Sequence, residues 1–550
     1  MKKFINRVFV PFVALSLLVS CTDDLVTSPD GSILTEEQKQ EVAALIPERL
    51  SADLNGMYAI LGTQYPALPA SERSDDFGYA SVTLAWDHNG ADIVSPDAGY
   101  NWFATPLEFS DRTYTYASPY IRWALFYKQI KLANDLLAAI PEDSDSEMLD
   151  YYRGQALAVR AFDYFNLVQM YQFTYKGNED KPAIPIITNE MEGDPTNNPR
   201  ATVQAVYDLI LSDLNQAIEL LEGFSRPNKA AVNQAVAYGI RARVHLVMQN
   251  WENAASDAAD ARAGFEFLSK EDAGKPGFND ASAANWMWAV LINPVNISSN
   301  YDTWPSKLSS FAGNSYTANV GQYMSISSLL WAKIPATDVR KGWWVDESLN
   351  SPILEDLSWP GHEGEPIGPL SITDVKMPFS PYTNVKFGPT DNVFGNGDNS
   401  ADWVIMRSEE MLLIEAEALA MSGDVGAAAT LLETFMKDYR DPSYTVSAGS
   451  AEQFQIEVWK QRRIELWGEG FSFFDILRLQ KNIVRFNSST TSNFPIAMRF
   501  NMAYNDPWLL LRIPQREINS NMGISETDNN SGGAQPVSGE GAGLSDPVTD

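Results

Sequence analysis

The chain holds three histidines, His88, His245 and His362, far apart and without a metal-ligand spacing. No HExxH, GxSxG or Walker sequence occurs, so zinc-hydrolase, serine-hydrolase and nucleotide-hydrolase chemistry lack their motifs. Carboxylates are plentiful, 71 Asp and Glu against 40 Lys and Arg. A glycosidase needs only two of them facing each other across a bond. None is marked out by its neighbours, and solvation of the surface accounts for carboxylates in such numbers. The residues left with distinctive chemistry are one thiol and many aromatic rings.

The thiol is Cys21, the only cysteine in 550 residues. Lys2, Lys3 and Arg7 precede it as a basic segment, and Val8 to Leu18 is apolar but too short to span a bilayer. Leu18-Val19-Ser20-Cys21 then resembles a bacterial lipobox, whose thiol is acylated with diacylglycerol before cleavage leaves the cysteine first. A signal peptide over residues 1–20 is expected, with Cys21 as the lipidated residue. Residues 21–35 read as a flexible tether carrying Asp23-Asp24. With Cys21 acylated no thiol remains for a disulfide, so the fold must stand on packing.

The net charge of −31 and the lack of a basic stripe exclude nucleic acid as a partner and disfavour peripheral binding to anionic lipid. A neutral ligand is compatible with it. Apolar content of 45%, with 15 Trp, 22 Tyr and 26 Phe, supports a large core.

The elements that position these rings follow from periodicity. Glu36 to Leu61 has helical spacing (Ile46, Leu50, Leu54, Met57, Leu61), whereas residues 63–118 lose the period and read as long loops. Helical stripes return at Trp123, Phe126, Ile130, Ala133 and Leu137, then at Leu157 to Val168, then at Tyr207 to Leu221. Two hairpins look like degenerate tetratricopeptide repeats. In the first, Ala242, Trp251, Ala254 and Ala261 flank a turn at Asn250-Trp251; in the second, Ala416 and Ala428 flank one at Gly423-Asp424. Small residues at such crossings let antiparallel helices approach. Residues 268–400 turn Gly-, Pro-, Asn- and Trp-rich, an insertion too aromatic to be disordered. Helices resume through Arg407 to Met421, Val425 to Tyr439 and Phe454 to Trp467. The expected organisation is a single domain over 36–521, with scaffold at 36–267 and 401–521 around the loop-rich 268–400. An acidic disordered tail follows over 522–550.

Five segments in order carry a resemblance. Trp123 through Leu137 is similar to a "W-x-x-x-Y-x-x-I-x-x-AN-x-LL" helix. Arg160-Ala161 with Tyr164-Phe165, Leu167 and Tyr171 is similar to "RA-x-x-YF-x-L-x-x-x-Y". Arg407 to Ala418 resembles "R-x-x-E-x-LL-x-AEA". Arg462 to Arg478, with Glu465-Leu466, Glu469-Gly470 and Asp475, resembles "R-x-x-EL-x-x-EG-x-R-x-x-D-x-x-R". Ile513-Pro514, Glu517 and Asn521 resemble "IP-x-x-E-x-x-x-N". Together they resemble the SusD/RagB family of outer-membrane lipoproteins. Ser472 stands near where the family often has Arg, and the usual Asn-Pro-Gly-Tyr ending is missing. The apolar motif positions are also core positions, and Arg463 with Glu469 or Asp475 reads as a structural ion pair.

The resemblance implies a mainly α, SusD-like fold: tetratricopeptide-type hairpins with the insertion presenting ligand loops. It implies a surface-exposed, lipid-anchored outer-membrane protein, not an enzyme. Such a protein binds glycan and delivers it to a partner SusC-like, TonB-dependent transporter. A peptide-binding lid of the RagB kind is the alternative, and a surface polysaccharide hydrolase the alternative of another class. Sugar rings stack on aromatic side chains while amides and carboxylates bond the hydroxyls. Candidate ligand residues are Trp86, Tyr100, Asn101 and Trp102 in the loop before the Trp123 helix, which also holds Asp92 and Asp97. From the insertion come Tyr301, Trp304 and Tyr316, with Tyr323 nearby. Trp102 and Trp304 stand first; Trp343 and Trp344 read as core. The run Asp391 to Asp402 has calcium-ligand composition but no EF-hand spacing, so a plain loop and no cofactor are expected.

Overall fold

The computed structural model describes residues 35–96, 101–142, 144–191, 196–355, 357–359, 361, 367–371, 379–487 and 492–550. Its scaffold is a stack of antiparallel helices. Ala117–Ala139 packs on Glu147–Tyr171, which packs on Val203–Leu220, then Gln234–Met248, then Trp251–Arg262. Trp251–Arg262 lies against Ser408–Met421, which in turn carries Val425–Tyr439 and Ala451–Glu465. Two helices far apart in sequence are thus neighbours in the stack, and the loop-rich segment is spliced between them. The mainly helical fold with an irregular insertion is as expected.

Local chemistry starts these helices where the periodicity does. Thr202, Asn233, Asp424 and Ser450 each accept a backbone N–H of the first turn, satisfying donors that have no partner inside the helix. The hairpin turn after Met421 passes through Gly423 at φ +107°, open to glycine at little cost. Gly239 is needed for another reason. A Cβ there would stand 2.3 Å from Met406 Sδ, so only hydrogen lets the Gln234–Met248 helix touch strand Trp403–Arg407. That strand pairs antiparallel with Trp286–Val290, and every residue of both is buried.

The two blocks and the insertion are bolted together by buried ions. Glu465 accepts from Arg407, Arg440 and Arg340, at 2.8, 2.8 and 3.0 Å. Glu469 accepts from Arg407 and Lys386, at 2.8 and 2.7 Å. Asp475 holds Arg462 and Arg478, both at 2.7 Å. The ion pair expected from Arg463 to Glu469 or Asp475 is corrected: Arg463 pairs with Asp92 at 2.7 Å and with Asp546 at 2.6 Å. Ser472 donates its hydroxyl to the same Asp92 at 2.6 Å.

Three further expectations change. The single helix over Glu36–Leu61 is divided into Glu36–Leu45 and Ser51–Ala59, broken at Pro47, whose ring cannot sit inside a helix. Residues 63–118 are not all loop, because Tyr79–His88 is a helix with all ten residues buried. A helix covered all round shows no stripe. The acidic tail is not disordered: it folds back as a strap. Asn530 donates to the carbonyls of Tyr171 and Leu511 at 2.8 and 2.7 Å, and Val548 and Thr549 are buried. Low apolar content points to disorder, but amide side chains, the charge on Asp546 and the buried side chains of Ile524 and Val548 anchor the strap.

One buried carboxyl stands apart. Asp163, in the middle of Glu147–Tyr171, is fully buried, with no hydrogen-bond partner for either oxygen among the described residues. Burial pushes its pKa well above the usual carboxylate range. A raised folded-state pKa favours the protonated form, so folding bears a growing cost as pH rises from the unfolded value of about 3.9 towards the folded one. Asp163→Asn is expected to raise stability at pH 7 by about 1–2 kcal/mol, the gain shrinking towards pH 4. Urea unfolding at the two pH values checks this; an equal or lower midpoint at pH 7 would refute it.

Candidate functional site

Two loops more than two hundred residues apart in sequence meet at the surface. Trp102 lies just before a short helix, Ala104–Leu107, and Tyr316 opens another, Tyr316–Val320. The Trp102 indole N–H donates to Tyr316 Oη at 3.0 Å, and Ser74 Oγ bonds the same oxygen at 3.2 Å. Tyr301 sets its ring edge-on to Tyr316, 5.9 Å between centroids at 82°, and donates its hydroxyl to Asn314 Oδ1. The Arg73 guanidinium lies over the Trp102 ring at 5.1 Å, held by two bonds to Asp75 at 2.8 and 2.9 Å. Trp102 and Tyr316 are half-buried and Tyr301 is 39% exposed. The result is an aromatic ledge rimmed by an amide, a hydroxyl and a cation.

The layer beneath explains why the loops hold this shape. Asn101 donates to Ser95 Oγ and the Pro96 carbonyl, both at 3.0 Å, and accepts the Phe103 N–H. It closes its own loop. Asn399 donates its amide to the carbonyls of Asn300 and Gly313, at 2.9 and 3.3 Å, pinning the segment that carries Tyr301. The run Asp391–Asp402 therefore acts as a polar clamp: Asp402 accepts the backbone N–H of Ala281 and Ile292. Among the described residues no three His, Cys, Asp or Glu side chains are grouped to hold a metal ion.

Of the expected ligand residues, Trp102, Tyr301 and Tyr316 come together, with Asn101 supporting them. Trp86 and Trp304 do not belong to the surface. Each is 2% exposed. Trp86 stacks on Phe126 at 6.0 Å inside the core. Trp304 packs on Trp403 at 5.3 Å and donates its N–H to the Ala401 carbonyl. Neither ring has a face left for a ligand, because aromatic area drives burial as readily as binding. Asp92 is committed to Arg463, and Tyr323 is buried against Phe379. Trp343 and Trp344 are core, as read. Tyr100, Asp97, His362 and Cys21 lie outside the described residues.

Arg73, Ser74 and Asn314 join the ledge without a signal in the sequence. They sit in polar stretches with no period, where a side chain aimed at a site looks like one aimed at solvent. A larger hollow of about 580 Å³ lies elsewhere, walled by Tyr151, Tyr152, Phe224 and Leu54. In it Tyr151 donates its hydroxyl to Glu147 and Tyr58 donates to Gln155. No helix among the described residues is long and apolar enough to cross a membrane.

The comparisons agree with this architecture. Residues 63–246 match the SusD-like family profile described as starch-binding and associating with the outer membrane, and residues 373–532 match the SusD family profile. The two stretches together cover more than half the chain, in the order of the scaffold; Tyr301, Lys307 and Tyr316 fall between them. SusD-like protein P38 of Formosa agariphila is 22% identical over 521 residues, 88% of this chain and 93% of its own length. A SusD-like carbohydrate binding protein from Bacteroides vulgatus has a similar structure, with a TM-score of 0.68 at 23% identity, over 87% of this chain and 97% of that one. A SusD superfamily protein from Bacteroides thetaiotaomicron gives 0.64 at 20% identity, over 88% and 99%. In sequence motifs, helical scaffold and matched profiles alike, the chain belongs to the SusD/RagB family.

Proposed function

We propose that this chain is a surface-exposed outer-membrane lipoprotein that binds an oligo- or polysaccharide on the Trp102–Tyr316–Tyr301 ledge. It would hand the glycan to a SusC-like, TonB-dependent transporter for import. The observation that carries the reading is the convergence of these rings, half-exposed and rigidly bonded, beside Asn314, Ser74 and Arg73. Flat apolar faces take the C–H side of a sugar ring at low entropy cost, and a few fixed polar groups orient its hydroxyls. The carbohydrate-binding relative from Bacteroides vulgatus supports the same ligand class. Affinity electrophoresis against a panel of neutral and acidic polysaccharides tests the reading. Retardation by at least one of them is expected, and retention of none would refute it. If peptides co-purify with the transporter instead, the ligand class is wrong while the lid architecture stands.

Anchoring rests on Cys21. Cys21→Ala is expected to leave a folded, ligand-competent protein that moves from the outer-membrane to the soluble fraction. Undiminished fractionation with outer membranes would show that the thiol is not the anchor.

A further inference from the structure

Beneath the ledge lies a lysine that nothing in the binding reading requires. Lys307 is 3% exposed, on the five-residue helix Trp304–Leu308. Its Nζ has no hydrogen-bond partner among the described residues. It stands 3.2 Å from the centroid of the Tyr316 ring, against the π face. A buried amine without a bonded partner is costly to keep, so its position needs an interaction that offsets the cost. A desolvated cation over an aromatic ring is such an interaction. The same short helix offers Ser306, whose Oγ accepts the Tyr316 backbone N–H at 3.1 Å. Trp304 anchors that helix through its bond to the Ala401 carbonyl. Ring and backbone of Tyr316 are thus both held from one helix, and Tyr316 Oη in turn receives the Trp102 N–H.

We propose that Lys307 is a positioning residue of the ledge: its ammonium group holds the Tyr316 ring, and through Tyr316 Oη the Trp102 ring, in the ligand-ready pose. The inference rests on the glycan reading of the site for its binding consequences, but not for its structural ones. The charged groups that act on the amine are Asp302 and Asp75. Asp302 is fixed by the Tyr65 hydroxyl at 2.5 Å, and its other oxygen has no hydrogen-bond partner among the described residues; Asp75 is held by Arg73. Burial pushes the amine well below its ordinary pKa, and the two carboxylates pull it back up. A raised pH removes the charge, so the ring's hold weakens as pH climbs through that lowered value.

The test compares wild type with Lys307→Met, which keeps the length and removes the charge, and Lys307→Arg, which keeps the charge. Crystal structures without ligand come first. The methionine variant is expected to shift the Tyr316 ring and break the Trp102–Tyr316 bond; an unmoved ring with the bond intact overturns the proposal whatever the ligand is. The polysaccharide retained by wild type is then titrated. A roughly tenfold loss is expected for Lys307→Met, with recovery in Lys307→Arg. Wild-type affinity is expected to fall with rising pH while the methionine variant stays low and flat. Full affinity in Lys307→Met alongside lost affinity in Trp102→Ala refutes the role of Lys307 alone. Full affinity in both refutes the ledge as the binding site.

Discussion

Glu465→Gln is expected to cost about 3–5 kcal/mol of folding stability, the scale for breaking a buried ion pair from one side. That is a large part of the 5–15 kcal/mol that a folded domain has in total. Glu465 is fully buried and its two oxygens receive three guanidinium groups, from Arg340 on the insertion, Arg407 on the strand and Arg440 after the Val425–Tyr439 helix. A glutamine keeps the volume but removes the charge, and its NH2 group points hydrogens at donors. Arg340 keeps Asp338 and Arg407 keeps Glu469, at 2.7 and 2.8 Å. Arg440 keeps the carbonyls of Leu268 and Tyr439, both at 2.9 Å, but among the described residues its remaining carboxylate contact is the longer one to Glu409 at 3.4 Å, so its charge is the one most exposed to the loss.

The pH dependence gives a second reading of the same residue. Burial alone would push the Glu465 carboxyl up, but Arg440, Arg407 and Arg340 outweigh it and hold the pKa well below its usual range. A depressed folded-state pKa contributes stability above the unfolded value of about 4.3 and loses it as pH falls towards the folded one. Wild type should therefore weaken below about pH 4.3, and the glutamine variant should lose that part of the acid sensitivity. Urea unfolding at pH 7 and pH 4 measures both. A midpoint at pH 7 within error of wild type would mean that the three arginines are satisfied without this carboxylate.

Trp102→Ala is expected to weaken glycan binding at least about tenfold, the scale of losing a central aromatic anchor. Stability should hardly change, because the ring is half-exposed and the hydroxyl it bonds retains Ser74. Tyr301→Ala should act in the same direction more weakly, since that ring stands at the rim. The pattern to look for is lost retardation in affinity gels with an unchanged melting curve. Unchanged retardation in both variants would move the binding site off the ledge. By contrast Trp304→Ala is expected to unfold or lower the yield of the protein, since its ring fills core between Phe387 and Trp403 and such truncations cost about 3–5 kcal/mol.

Much of the scaffold could be read from one dimension. Val425–Tyr439 is legible to its ends because it buries one stripe and leaves the other faces wet, whereas Ala451–Glu465 shows a stripe only in its first half and is covered all round from Gln461 on. The Arg462–Arg478 motif was legible as ionic, yet its partners were not. Arg463 reaches Asp92, 371 positions away, and Asp546 in the strap. Tyr79–His88 was invisible for the opposite reason, having no wet face to set a period.

The site shows the boundary most clearly. Composition and spacing point to two loops, around Trp102 and around Tyr316, that the fold brings together, since family motifs and aromatic density are properties of neighbouring residues. Which ring faces solvent is decided by what packs behind it. Trp304 and Tyr316 lie twelve positions apart in one loop-rich segment, yet Trp304 is closed off by Trp403 and Phe387, while Tyr316 is backed by Lys307 and left partly open. Burial is a sum over contacts from distant segments, and no local pattern of residues contains that sum.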